Sequence, residues 1–327
     1  MSRLYIGCVL ACWLAAMSWL VSTKIMPALQ QGTPPDYRAE FIAEEKKAPP
    51  PVAWEMFWND RPMGTTVSQA YLQDGEPSEV RSLVEFKQLE MRAIASELMG
   101  GLSFIGGSLW GDDRLRVDLT IATRLRLDWE GELQGFQTSL KSQDSQDLLF
   151  VRGERSDDDR LKLSIYPGGG GDEPAAPIVH EVNMPTSARF SEAFSPRSKL
   201  EGLSVGQKWT TPVVSPLSTT RSIRLVESLV VKRETITWQD GEVETFVVVY
   251  RYDAGSGASA RDPVGQAWVR DDGVIVRQEL PIGNARIRFE RTADPQALEL
   301  ANRLNDSEFD RSLQRTLKSP GVGQGSP

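Results

Sequence analysis

Residues 114–129 read Arg-Leu-Arg-Val-Asp-Leu-Thr-Ile-Ala-Thr-Arg-Leu-Arg-Leu-Asp-Trp. Leu115, Val117, Leu119, Ile121, Thr123, Leu125, Leu127 and Trp129 share one parity. Arg114, Arg116, Asp118, Thr120, Ala122, Arg124, Arg126 and Asp128 share the other. Side chains alternate across a strand, so this spacing makes one apolar face and one charged face. A helix repeats every 3.6 residues and would mix the two sets. At ~3.3 Å per residue the strand would run about 50 Å, against a usual length of ~5–6 residues. A strand of that reach has to curl, carry a bulge or pass between sheets. The expectation is a large curved antiparallel sheet, wet on its charged side.

The flanking sequence repeats the signal. Upstream, the aromatics Trp54, Phe57 and Trp58 precede the turn residues Asn59-Asp60-Arg61-Pro62, and strands are expected over 63–72 and 79–91. A short helix could form at 93–99, before the glycine-rich connection at 100–107. Downstream, strands are expected at 133–140, 147–154 and 160–166, and 178–182 is strand-like. Residues 185–199 look irregular. The last third is the clearest part. Strands over 209–214, 223–238, 242–252, 264–270, 274–280 and 285–291 form a meander, with a bulge near Val230 and a tight hairpin at Asp272-Gly273. Asp294-Pro295 then starts a helix, with a capping carboxylate followed by proline. Leu300, Leu304, Phe309 and Leu313 give its apolar stripe, broken near Asn305; it either packs on the sheet or meets a partner. Strands in succession without alternating helices favour antiparallel architecture.

Residues 4–23 contain no charged side chain and are long enough to span a ~30 Å hydrocarbon core. Three readings stay open: an uncleaved signal-anchor, a signal peptide cut near Ala16-Met17-Ser18, or a lipoprotein signal ending at Cys12. Each exports the bulk of the chain. The proline-punctuated stretch 24–51 reads as an extended linker. The expected organisation is a membrane segment at 1–23, a linker at 24–51, an antiparallel β domain at 52–292, a helical segment at 293–318 and a tail at 319–327. The fold class is therefore mainly β: a curved sheet, half-barrel or open barrel with one or two helices behind a transmembrane helix.

Chemistry-bearing residues are few. The net charge of −8, with bases interleaved among acids, argues against nucleic acid. Both cysteines, Cys8 and Cys12, lie in the N-terminal apolar run, so the β domain has no thiol for a disulfide, zinc or nucleophile. His180 is the lone histidine and no Gly-x-Ser-x-Gly elbow accompanies it, which leaves a serine hydrolase without its parts. Asp157-Asp158-Asp159 and Asp271-Asp272-Gly273 lack calcium-loop spacing and read as turns. Gly168 to Gly171 lacks the Lys-Ser/Thr of a phosphate loop. Glu130 and Glu132 are spaced as turn neighbours rather than as a glycosidase pair. The tryptophans are explained at least partly by core packing. No catalytic residue, cofactor or metal is expected.

Several short elements carry a resemblance: Trp54 with Pro62-x-Gly64, Phe194-Ser195-Pro196, Leu203-x-x-Gly206-x-x-Trp209, Glu227, Trp268 and Asp272-Gly273-x-Ile275-x-Arg277-Gln278. Together they resemble exported bacterial envelope β-domain proteins, and more distantly the half-barrel of the periplasmic lipoprotein carriers. That resemblance implies a wrapped sheet holding acyl chains in an apolar concavity. No ligand residue transfers with it. The functional expectation is a non-enzymatic protein tethered to the bacterial cytoplasmic membrane, its β domain outside. It would bind a lipid or other apolar ligand, or an envelope partner protein. The alternatives are an assembly subunit of an envelope complex, or an exported carboxylate-dependent hydrolase. The positions that would face an apolar ligand, or else the core, are Leu115, Val117, Leu119, Ile121, Leu125, Leu127 and Trp129.

Overall fold

The structure is a computed structural model that describes residues 12, 13, 15–19, 50–71, 78–90, 116–128, 133–142, 147–156, 160–167, 176–183, 189–190, 199–214, 223–252, 261–282, 285–305, 309, 310 and 313. The expected helix at 93–99, most of the 24–51 linker and the Gly168 to Gly171 loop lie outside these residues, as does the 319–327 tail. Of the expected membrane segment, residues 12, 13 and 15–19 are helical and exposed. Among the described residues no helix is long and apolar enough to cross a membrane.

The first half is a run of hairpins: β1 (Val52–Trp58), β2 (Arg61–Tyr71), β3 (Ser78–Glu90), β4 (Arg116–Leu127), β5 (Leu133–Ser142), β6 (Asp147–Ser156), β7 (Arg160–Pro167) and β8 (Ile178–Asn183). After the two-residue β9 (Arg189–Phe190), a second run holds β10 (Lys208–Val214), β11 (Ile223–Trp238), β12 (Gly241–Tyr252), β13 (Gly265–Arg270), β14 (Ile275–Ile282) and β15 (Ala285–Arg291). All fifteen join one sheet, in the order β8 to β1, then β15 down to β9. The two runs meet where β1 pairs antiparallel with β15, so the first and last strands lie side by side. Only the β9–β10 contact is parallel. The sheet's edges, β8 and β9, follow one another in the chain: this is an open barrel with a seam. The helix α1 (Asp294–Ala301) and a 3₁₀ turn (Asn302–Asn305) follow β15 and return over β1 to β3.

Local chemistry sets the turns and bends. Asn59 and Asp60 both take positive φ (46° and 66°), the pair that a two-residue turn between twisted strands requires. The β11–β12 register slips between Val230 and Lys232, which places a bulge at Val231. Beyond it the hairpin tip bends onto its neighbours: the Trp238 indole Nε1 donates to the Arg291 carbonyl at 2.9 Å, and Arg277 donates to the Thr237 carbonyl.

Register lines the inward side chains into rows. One row crosses Leu119, Phe86, Gly64, Met56, Phe289, Gln278, Ala267, Val248 and Val230, from β4 to β11. Its apolar members are nearly fully buried, from Val248 at 0% to Leu119 at 5% exposure. Gly64 is required there: a Cβ would lie 1.9 Å from the Glu85 carbonyl oxygen.

Candidate functional site

The two faces of β4 are the natural place to look, and they differ from expectation. On the apolar face Leu119 and Leu127 are buried, while Val117, Ile121 and Leu125 are half-buried. Leu115 and Trp129 lie outside the described residues. Val117, Leu119 and Ile121 pack with Trp54, Met56, Phe86 and Phe289. Leu125 and Leu127 join a second cluster with Phe136, Val151, Leu161 and Leu163. A hollow wide enough for an acyl chain admits water-sized contact, so its lining would keep accessible surface; the near-zero exposure of the Leu119 row is that of packed core.

The charged face is not a wet wall, which corrects the sequence expectation. One cross-strand row runs Ala53, Val67, Leu83, Ala122, Ser139, Phe150 and Tyr166, from β1 to β7. The C-terminal segment covers it: Ala297, Ala301, Leu304, Phe309 and Leu313 are all buried in the same cluster as Ala53, Val67, Leu83, Ala122 and Phe150. The helix thus packs on the sheet, and Leu304, Phe309 and Leu313 do not form an exposed stripe. Charge spacing on β4 could not show this, because the covering segment lies far along the chain.

Beside the apolar row, Arg81 of β3 stands directly opposite Arg124 of β4. Like charges at facing positions repel. Two carboxylates relieve them. Glu79 Oε1 accepts from Arg81 Nε at 2.6 Å and lies 3.1 Å from Arg124 Nε. Asp310 comes from the C-terminal segment, pairs with Arg124 and lies 3.9 Å from an Arg81 nitrogen. Between them Phe309 takes both guanidiniums on its ring, at 5.7 and 5.9 Å from the centroid. Arg81 also caps the Leu304 carbonyl at 3.0 Å and lies 4.9 Å over the Tyr71 ring. The Tyr71 hydroxyl donates to Asn305 Oδ1 at 2.7 Å. Burial pushes the Tyr71 phenol above its usual range; Arg81 opposes this, and the Glu79 and Asp310 charges reinforce it. On the other flank Arg303 pairs with Glu85.

The remaining sequence candidates resolve as structure. His180 ends the inward row Leu125, Phe136, Gly153, Leu163 at the exposed edge strand β8. An inward-pointing polar residue at an edge discourages pairing with other chains. Asp272 closes its turn, accepting from the Val274 amide at 3.1 Å and pairing with Arg270, while Asp271 pairs with Arg233. Asp157-Asp158-Asp159, Glu130 and Glu132 lie outside the described residues. Trp54, Trp209 and Trp268 are buried. Among the described residues no three His, Cys, Asp or Glu side chains gather as metal ligands do.

No family model matches the chain, and no curated protein does. Among solved structures, the chain is similar to a β-barrel-like protein of unknown function, DUF1849, from Brucella abortus: 12% identity, 76% of this chain and 97% of that chain, TM-score 0.44. A DUF1089-family protein from Pseudomonas aeruginosa matches over 66% of this chain and 89% of that one, at 12% identity and TM-score 0.29. A Bacteroides fragilis protein with a YmcC-like fold covers 76% and 97%, at 10% identity and TM-score 0.22. None of the three is described as a lipoprotein carrier. At this distance they say nothing of a ligand or an activity. What stands is a β-sheet protein with β-barrel-like neighbours of unknown function.

Proposed function

We propose that the chain is a non-enzymatic scaffold of the bacterial envelope. Residues 4–23 tether it in the cytoplasmic membrane, the β domain stands outside, and it acts by holding another protein. The observation that supports this reading is the burial of the Leu119 row: an interior filled by its own side chains is a platform rather than a container. The polar groups described point the same way, since they pair across strands and into the C-terminal segment rather than converging on a cleft. The carrier reading keeps one specific foothold. Val117, Ile121 and Leu125 are half-buried, and they are the positions an acyl chain would touch if the interior opened.

The tether and the side of the membrane are tested together by alkaline extraction and protease accessibility. The full chain is expected to resist extraction from membranes, and its β domain to be digested in spheroplasts but not in intact cells. Release at alkaline pH, or protection in spheroplasts, would contradict the reading.

A further inference from the structure

We infer that the outer face of β2 to β6 is a receptor groove for a short acidic-aromatic helix, held closed in cis by the chain's own C-terminal segment. The partner it fits is a protein presenting an aromatic residue, an acidic residue next to it and an aliphatic residue four positions after the aromatic. This goes beyond the scaffold reading, because it names the surface and the chemistry of its occupant. It stands whether or not the domain is exported.

The cis occupant supplies the pattern. Phe309, Asp310 and Leu313 are all helical, so Phe309 and Leu313 lie on one helix face and enter the sheet together. Both are buried, at 5% and 1% exposure, beside Ala122 and Phe150. Asp310 keeps part of its side chain in solvent while it bridges to Arg124. The grip is small: two apolar anchors and one partly screened carboxylate, with α1 fastened separately by Ala297 and Ala301. Contacts of that extent open and close easily.

The groove keeps its shape when the segment leaves. Glu79 belongs to β3, not to the segment, and it engages both arginines from within the sheet. The paired guanidiniums therefore stay poised for an aromatic face and a carboxylate. The floor of Val67, Leu83, Ala122 and Phe150 belongs to four adjacent or near-adjacent strands fixed by ladder register. Preorganisation of this kind lowers the cost of binding a new occupant. While the cis segment sits there, an outside helix sees only the open fraction of molecules, and its apparent affinity falls by that fraction.

The test titrates a fluorescein-labelled peptide of residues 303–318 into the detergent-solubilised full chain, read by anisotropy. Against the wild-type chain binding should be weak. Against the Phe309→Ala/Leu313→Ala chain, whose cis segment has lost its anchors, it should be at least about tenfold tighter. The peptide carrying Asp310→Arg should lose about tenfold or more on that same variant. Near-UV circular dichroism checks that the variant remains folded. If it does not, Asp310→Ala, which removes only a partly exposed charge, takes its place in the same titration. Equal binding by wild type and variant overturns the proposal. So does indifference to Asp310→Arg in the peptide, or failure of a folded variant to bind.

Discussion

Leu119→Ala separates a filled interior from a hollow one. Leu119 is 5% exposed on β4, with Phe86 opposite it on β3 and Ser142 opposite it on β5. Truncation to alanine removes apolar surface worth about 2 kcal/mol in transfer free energy, at ~0.8 kcal/mol per methylene. Phe86 is itself 3% exposed and fixed by its own ladder, so collapse into the gap is limited. The cavity left behind then brings the total to about 3–4 kcal/mol, within the ~2.7–5 kcal/mol range for buried leucines. Leu125 is only half-buried on the same strand face, and Leu125→Ala should cost about 1–2 kcal/mol. Urea unfolding of the detergent-solubilised full chain, followed by tryptophan fluorescence, gives both values, with the denaturant slope unchanged if only stability has moved. If Leu119→Ala costs about 1 kcal/mol or less, no more than Leu125→Ala, then Leu119 lines an open compartment and the packed-core argument fails.

Gly153→Ala would place a Cβ 2.1 Å from the Phe136 ring, which lies over that glycine; it should cost about 1–3 kcal/mol in thermal or urea melts, and Phe136→Leu should relieve part of the loss. Tyr71, whose phenol is held up by burial, stays protonated longer folded than unfolded. Its stability is complete below the ordinary tyrosine range near ~10 and is lost as pH rises through the folded value. Melting temperatures between about pH 9 and 11.5 should fall more steeply for wild type than for Tyr71→Phe, and equal slopes would remove Tyr71 from that account. Lys208 Nζ lies 2.7 Å from Glu227 Oε2, a carboxylate whose side chain is 2% exposed. Lys208→Met strands that charge and should cost about 2 kcal/mol or more, while Lys208→Met/Glu227→Gln should recover at least half. A double-mutant cycle without coupling would show the pair to be incidental.

Much of the fold was legible because it is local. The alternation over 223–238 and its slip near Val230 match β11 and its bulge, and 285–291 is β15. Asp272-Gly273 turns as its residue types require, with Gly273 at φ 81°. The helix starts at Asp294 with proline behind it. Fifteen strands appear where eleven to thirteen were expected, partly because β9 has two residues and no periodicity can mark so short a strand. Pro281, expected in a turn, sits near the end of β14 opposite Arg286, where the strand is about to turn and one missing amide is tolerated.

Long-range pairing was not legible. Nothing in either segment alone says that Arg81 faces Arg124, or that β1 closes against β15. The charged face of β4 was therefore misread as solvated. Arginine suits a covered site as well as a wet one, since its guanidinium can stack on Phe309 and pair with Asp310 and Glu79 at once. A hint was present in the sequence. Phe309, Asp310 and Leu313 form an amphipathic unit after the helix break at Asn305, and an orphan aromatic beside an acid asks for a basic partner elsewhere.

The central claim is that the sheet is packed with its own side chains and works as a platform. The most direct measurement is a native mass spectrum of the full-length chain, extracted from membranes in mild detergent and released gently in the gas phase. The account predicts the mass of the polypeptide without a stoichiometric lipid, whether or not a protein partner is retained. One acyl lipid per chain, held at activation energies that strip the detergent and lost on substituting Val117, Ile121 and Leu125 by asparagine, would contradict it and restore the carrier.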